Sequence, residues 1–142
     1  MKRSTIRKIE DILRDYPKID KYIEQREQEL RYPMKPADDN VGGGKTSLVH
    51  DASMLNTLIT IDDDKRINAL KRQRMTIDDC LDEAGKETTV IIDELYFKER
   101  QQYTIDGLIA NHLINVSRAT AFRLKAQFIS RCAKSLGLYD LN

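Results

Sequence analysis

Residues 104–137 read TIDGLIANHLINVSRATAFRLKAQFISRCAKSLG, and the residues that punctuate them mark out two helices. Thr104 and Ser117 are residue types whose side-chain oxygens cap helix starts, and Gly137 is the type that follows a helix end. A short helix from Thr104 through Asn111 and a longer one from Ser117 to Leu136 follow, a helix-turn-helix pattern. On the longer helix Ala121, Leu124, Phe128, Cys132 and Leu136 recur at spacings of three and four and form the core face. Arg123, Gln127, Ser130 and Lys134 then lie opposite.

The charge of this region points to a polyanion. Residues 96–142 hold 7 basic and 3 acidic side chains, against 7 and 13 in residues 36–95 and 10 and 7 in residues 1–35. No Asp or Glu occurs between Asp106 and Asp140, whereas Arg118, Arg123, Lys125, Arg131 and Lys134 all do. A carboxylate there would repel phosphates. The candidate contacts to double-stranded DNA are Ser117, Arg118, Ala119 and Thr120 at the start of the helix, with Arg123 and Gln127 next and Arg131 and Lys134 later. Arg addresses guanine bidentately and Gln addresses adenine, while the later cations suit phosphates.

Residues 1–32 place Ile6, Ile9, Ile12, Leu13, Tyr16, Ile19, Tyr22, Ile23 and Leu30 at helical spacing. Pro17 breaks the pattern near Asp15 and Tyr16, so two helices are expected, the second ending near Arg31. Pro33, Pro36 and the run Gly42, Gly43, Gly44 mark residues 33–47 as a loop or linker. A helix is expected from Ser47 to about Ile61. A longer one should run from Asp62 to Ala84, with Asp62, Asp63 and Asp64 in its first turn. Its apolar seam, Ile67, Leu70, Ile77, Leu81 and Ala84, is heptad-like and interrupted by Arg74. Gly85 is expected as its C-cap, followed by a shorter helix from Thr88 to Phe97. The chain is therefore expected to be all-α: an N-terminal helical pair (1–32), a linker (33–47), a central helical region (48–100) and a helix-turn-helix region (101–142). The seam admits two arrangements, a homodimer through the central region or cover within one chain.

With 142 residues the chain makes one domain or two very small ones. Lys+Arg number 24 and Asp+Glu 23, so the net charge of +1 neither demands nor excludes a nucleic-acid partner. The absence of Trp and a mean hydropathy of -0.57 fit a soluble helical protein. Cys80 and Cys132 belong to no close Cys/His cluster, so neither a disulfide framework nor a zinc site is expected. Met1, Lys2 and Arg3 precede no apolar run of signal-peptide type, and no segment is long and apolar enough for a membrane span. A cytoplasmic protein is expected.

Several features invite chemistry and do not carry it. Gly42 to Ser47 reads GGGKTS, but a phosphate-binding loop needs a Gly where Asp39 stands and a strand leading in. Asp62 to Asp64, Asp78 with Asp79, and Asp82 with Glu83 read as solvated helix faces and not as metal ligands. His50 and His112 are isolated, with no nucleophile constellation around either. No enzyme, cofactor or metal is expected.

The sequence also resembles the RinA-type phage transcriptional activators over nearly its whole length. The resemblance lies in TIRKIED at Thr5 to Asp11, DYP at Asp15 to Pro17, and the Pro-x-x-Pro segment leading into GGG-Lys-Thr-Ser. It continues through Tyr96-Phe97, Thr104, Ile109-Ala110, Ser117, Thr120, Arg123, Lys125 and Leu136-Gly137. The end is also similar to the promoter-reading region four of sigma factors. The resemblance implies an activator of phage late genes, those for packaging and structure, with DNA and host RNA polymerase as partners in the host cytoplasm. One departure is that six residues, Asn111 to Val116, join the two helices where the common pattern has five; the turn is expected to be reshaped. Two other functions are compatible with the residues: a packaging DNA-binding protein of small-terminase type, and a helical protein-interaction module. Oligomer size and salt-dependent DNA binding separate the three.

Overall fold

Pro17 does what its locked φ and missing N–H require. Helix α1 (Arg3–Asp15) stops before it, a 3-10 turn covers Tyr16–Lys18, and α2 (Ile19–Arg31) begins beyond it. The computed structural model describes residues 1–32, 55, 56, 58 and 60–138. The later elements are α3 (Lys65–Glu83), α4 (Lys86–Ile92), a π-helical turn (Asp93–Phe97), α5 (Ile105–Ala110) and α6 (Arg118–Ser135). All regular structure among the described residues is helical, as the apolar spacing predicts. The expected linker 33–47, with its GGGKTS run, lies outside the described residues, as does most of the helix expected from Ser47; residues 55, 56, 58 and 60–63 are helical.

The chain forms two compact units, one of residues 19–72 and one of residues 1–18 with 73–142. In the first, Ile19, Ile23, Ile61 and Ile67 are buried. Asp64 lies just before α3 and accepts the Ile67 N–H at 3.0 Å, a helix cap of the kind its side chain favours. The same carboxylate accepts two hydrogen bonds from the Arg26 guanidinium, at 3.0 and 3.3 Å. Those bonds, then the Ile67 N–H, hold the Asp64 carboxyl below the usual carboxylate range. Of the expected seam, Ile67 belongs to this unit and is fully covered within one chain.

In the second unit, Ile9 and Leu13 of α1 meet Ile77 and Cys80 of α3, Ile92 of α4, Tyr96, and Phe128, Ile129, Cys132 and Ala133 of α6. Leu81 and Ala84 pack against this core, and Ile77 is wholly covered. The heptad-like spacing is thus used for intrachain packing at these positions. Cys80 and Cys132 share the core as free thiols, although 52 positions separate them (132 minus 80). Burial, reinforced by the neighbouring Cys80, pushes the Cys132 thiol far above its ordinary range.

Three expectations are corrected. Asp62 and Asp63 lie in the helical stretch before α3 and Asp64 caps α3, whose first turn holds no acid. Gly85 is the N-cap of α4 instead of the C-cap of α3: its φ is -73, and its carbonyl accepts the Thr89 N–H at 3.0 Å and the Thr89 hydroxyl at 3.1 Å. The helix expected from Thr88 to Phe97 starts earlier and widens into a π-turn at Asp93. In that turn Tyr96 is buried and its hydroxyl donates to Glu10 at 2.7 Å, while Phe97 stacks on Tyr16 at 4.8 Å. Tyr16 in turn donates to Asp78. One widened turn therefore ties α1 to the chain that leads into α5.

Candidate nucleic-acid interface

Both helices of the C-terminal pair start on the expected caps. The Thr104 side chain accepts the Gly107 N–H at 3.1 Å, and Ser117 accepts the Thr120 N–H at 3.2 Å while its hydroxyl donates to Thr120 at 2.9 Å. At the far end Gly137 adopts φ +74. Its N–H reaches the Lys134 carbonyl at 3.1 Å, and that of Leu138 reaches Ala133 at 2.8 Å. This pair of bonds closes the helix in a Schellman motif, with Leu138 packed on the main core.

The pair has its own small core. Ile105 and Leu108 of α5, Ile114 of the turn and Ala121 of α6 close over Ile91 of α4. Ala121 is fully buried, and its small side chain allows the close approach of neighbouring elements. The six-residue turn is built by ending α5 as α6 ends, in the left-handed region, but with His112 in place of glycine. His112 has φ 57; its N–H bonds to Ile109 at 3.1 Å, and that of Leu113 to Leu108 at 2.9 Å. Ile114 can then turn inward while the Asn115 N–H donates to Glu87 at 2.9 Å. A left-handed conformation at a residue with a Cβ costs about 1 kcal/mol, offset in part by the backbone entropy a glycine would lose. His112→Gly should therefore leave the melting temperature unchanged or raise it by a few degrees; calorimetry showing a fall of several degrees would mean that the imidazole itself holds the turn.

On α6 the residues singled out from sequence fall as follows. Ala119, Arg123, Gln127 and Lys134 are exposed, and Thr120 is half-buried. Ser117 is engaged as the cap. Arg118 is exposed, but its Nε donates to Asp106 at 2.8 Å and its guanidinium lies 4.9 Å from the centre of the Phe122 ring. Arg131 is exposed and paired with Glu83 at 3.5 Å. Among the described residues, Arg123 pairs with no carboxylate. The acid-free stretch of sequence is thus partly balanced by carboxylates from α3 and α5. Such exposed pairs contribute little, about 0 to 1 kcal/mol, and can exchange a carboxylate for a phosphate.

Three features of this surface go beyond the pattern of the sequence. Ile129 and Ala133 are buried beside the expected core face, which is therefore wider than its spacing showed, and Ser130 is half-buried. Phe122 stands exposed between Arg118 and Lys125, the latter 5.9 Å from the ring centre. The four-residue step from Arg118 to Phe122 was the signal available for that contact. Among the described residues no cluster of His, Cys, Asp and Glu could hold a metal ion, and no helix is long and apolar enough to cross a membrane.

Residues 5–134 match a family described as a protein of unknown function, DUF722. The transcriptional activator rinA of Staphylococcus phage phi11 is 32% identical over 143 residues, a stretch covering 96% of this chain and 94% of that protein. No solved structure matches significantly.

Proposed function

Because the chain belongs to the DUF722 family, that of the RinA-type phage transcriptional activators, we propose that it is a sequence-specific double-stranded DNA-binding activator of phage late genes. It works beside host RNA polymerase in the host cytoplasm. The observation that carries the reading is the exposed face of α6, where Ala119, Arg123, Gln127 and Lys134 stand on a helix capped at both ends and braced by its own small core. Arg123 and Gln127 take the base edges of guanine and adenine. Ala119 and Thr120 let the helix start approach the groove, and Ser117 supports them as the cap. Arg118, Arg131 and Lys134 take phosphates, the first two by releasing Asp106 and Glu83. Ile67 and Ile77 are covered within one chain, whereas Leu70, Leu81 and Ala84 of the same seam are half-buried, so a homodimer reading paired half-sites would have these three and not the first two to offer from the seam.

The test is selection of duplexes from a random library by the full chain, followed by transcription from a promoter carrying the selected site. One recurring site and a protein-dependent rise in transcript are expected. Recovery of no common site would sink the reading, and a ring of many subunits that binds DNA and leaves transcription unchanged would replace it with packaging.

A further inference from the structure

The opening of α1 carries a concentration of positive charge that the helix-turn-helix reading does not use. Lys2, Arg3, Arg7 and Lys8 are all exposed, and the first carboxylate of the chain is Glu10. The two nearest acids on this helix are already engaged, Glu10 by the Tyr96 hydroxyl at 2.7 Å and Asp11 by Arg14 at 3.3 Å. Among the described residues, Arg3, Arg7 and Lys8 pair with no carboxylate.

The start of α1 lies beside α6. Met1 and Ile6 line a groove whose other wall is Phe122, Lys125, Ala126, Ile129 and Ser130. Ala126 lies three residues from Arg123, and Ser130 lies three from Gln127 and four from Lys134, so the groove borders the exposed face of α6 directly. A duplex lying against that face would bring its sugar-phosphate backbone past the start of α1. Resting on the reading of α6 as the DNA-contacting helix, we propose that Arg3, Arg7 and Lys8 form a second phosphate-binding element that clamps the DNA backbone alongside α6. Contacts of this kind carry no base information; they position the protein and make its affinity depend on salt.

The test compares the full-length chain with a triple variant, Arg3→Ala, Arg7→Ala and Lys8→Ala. Alanine is a good helix former at exposed positions, so the helical circular dichroism and melting temperature should be kept. Both proteins are titrated, over a range of salt, against a duplex selected by the wild-type protein and a shuffled duplex of the same composition. The expected result is weaker binding of the variant to both duplexes, an unchanged ratio between them, and a log-affinity against log-salt slope shallower by about 2.7, from about 0.9 for each of three contacts. The lysine-retaining variant Arg3→Lys, Arg7→Lys should keep the wild-type slope. A folded triple variant with the wild-type slope overturns the clamp while leaving the role of α6 standing, even if its transcription falls through loss of an acidic protein partner. A wild-type protein that binds neither duplex overturns both.

Discussion

Phe128→Ala should lower the unfolding free energy by about 3 to 5 kcal/mol, the usual cost of emptying a buried aromatic site. Phe128 is 3% exposed and lies in the core where Ile9 and Leu13 of α1, Ile77 of α3 and Ile92 of α4 meet α6. These groups come from four different helices, so no single element can collapse into the space without dislodging another. Since small domains hold about 5 to 15 kcal/mol in all, the variant should be severely weakened at physiological temperature. Urea titration should show a lower midpoint at an unchanged slope. A loss below about 0.5 kcal/mol, inside the range of ordinary surface changes, would mean that α6 is not anchored through this residue.

Arg123→Ala should give the opposite profile: unchanged stability and a large loss of sequence discrimination. The side chain is exposed and makes no carboxylate contact among the described residues, so its removal strands no partner. A bidentate contact to guanine is worth about 1 to 3 kcal/mol, or roughly a 5- to 150-fold loss of affinity for the selected site. Arg123→Lys keeps the charge and loses the fork, so it should retain the salt dependence and lose most of the discrimination. Equal affinity of wild type and Arg123→Ala for the selected site at matched salt would remove Arg123 from the base-reading set. Arg118 would give a less clear result, since its truncation also releases Asp106.

What could be read from the sequence was what short-range chemistry controls. Pro17, Thr104, Ser117 and Gly137 each act within one helical turn, and each ends or begins a helix where expected. Gly85 misled because a glycine between two helices suits either the end of one or the start of the next, and only the backbone angle tells which. The apolar spacing of α6 named Ala121, Phe128 and Cys132 correctly but not Ile129 or Ala133, since the width of a core face depends on how many elements pack against it. The carboxylates opposite Arg118 and Arg131 come from 12 and 48 positions away (118 minus 106, 131 minus 83), beyond the reach of any local pattern. The heptad-like spacing of α3 was real, but spacing records that a stripe is buried and not whose atoms bury it. The widened turn at Asp93 has no local signature either; it is legible only once Glu10 and Tyr16 are seen to be its partners.

The placement of the two cysteines makes the chain its own clock. Both thiols lie in the core that joins α1, α3, α4 and α6, and the thiolate of Cys132 is suppressed for as long as that core stays closed. Only a thiolate attacks an alkylating dye at a useful rate. Modification of the native protein therefore waits on an opening that separates α6 from its supports, and the rate at which dye is taken up counts those openings directly. A ligand that grips α6 alone would leave the count unchanged, whereas one that spans α6 and the start of α1 would slow it, so the speed of a colour change registers whether the helices are held as one.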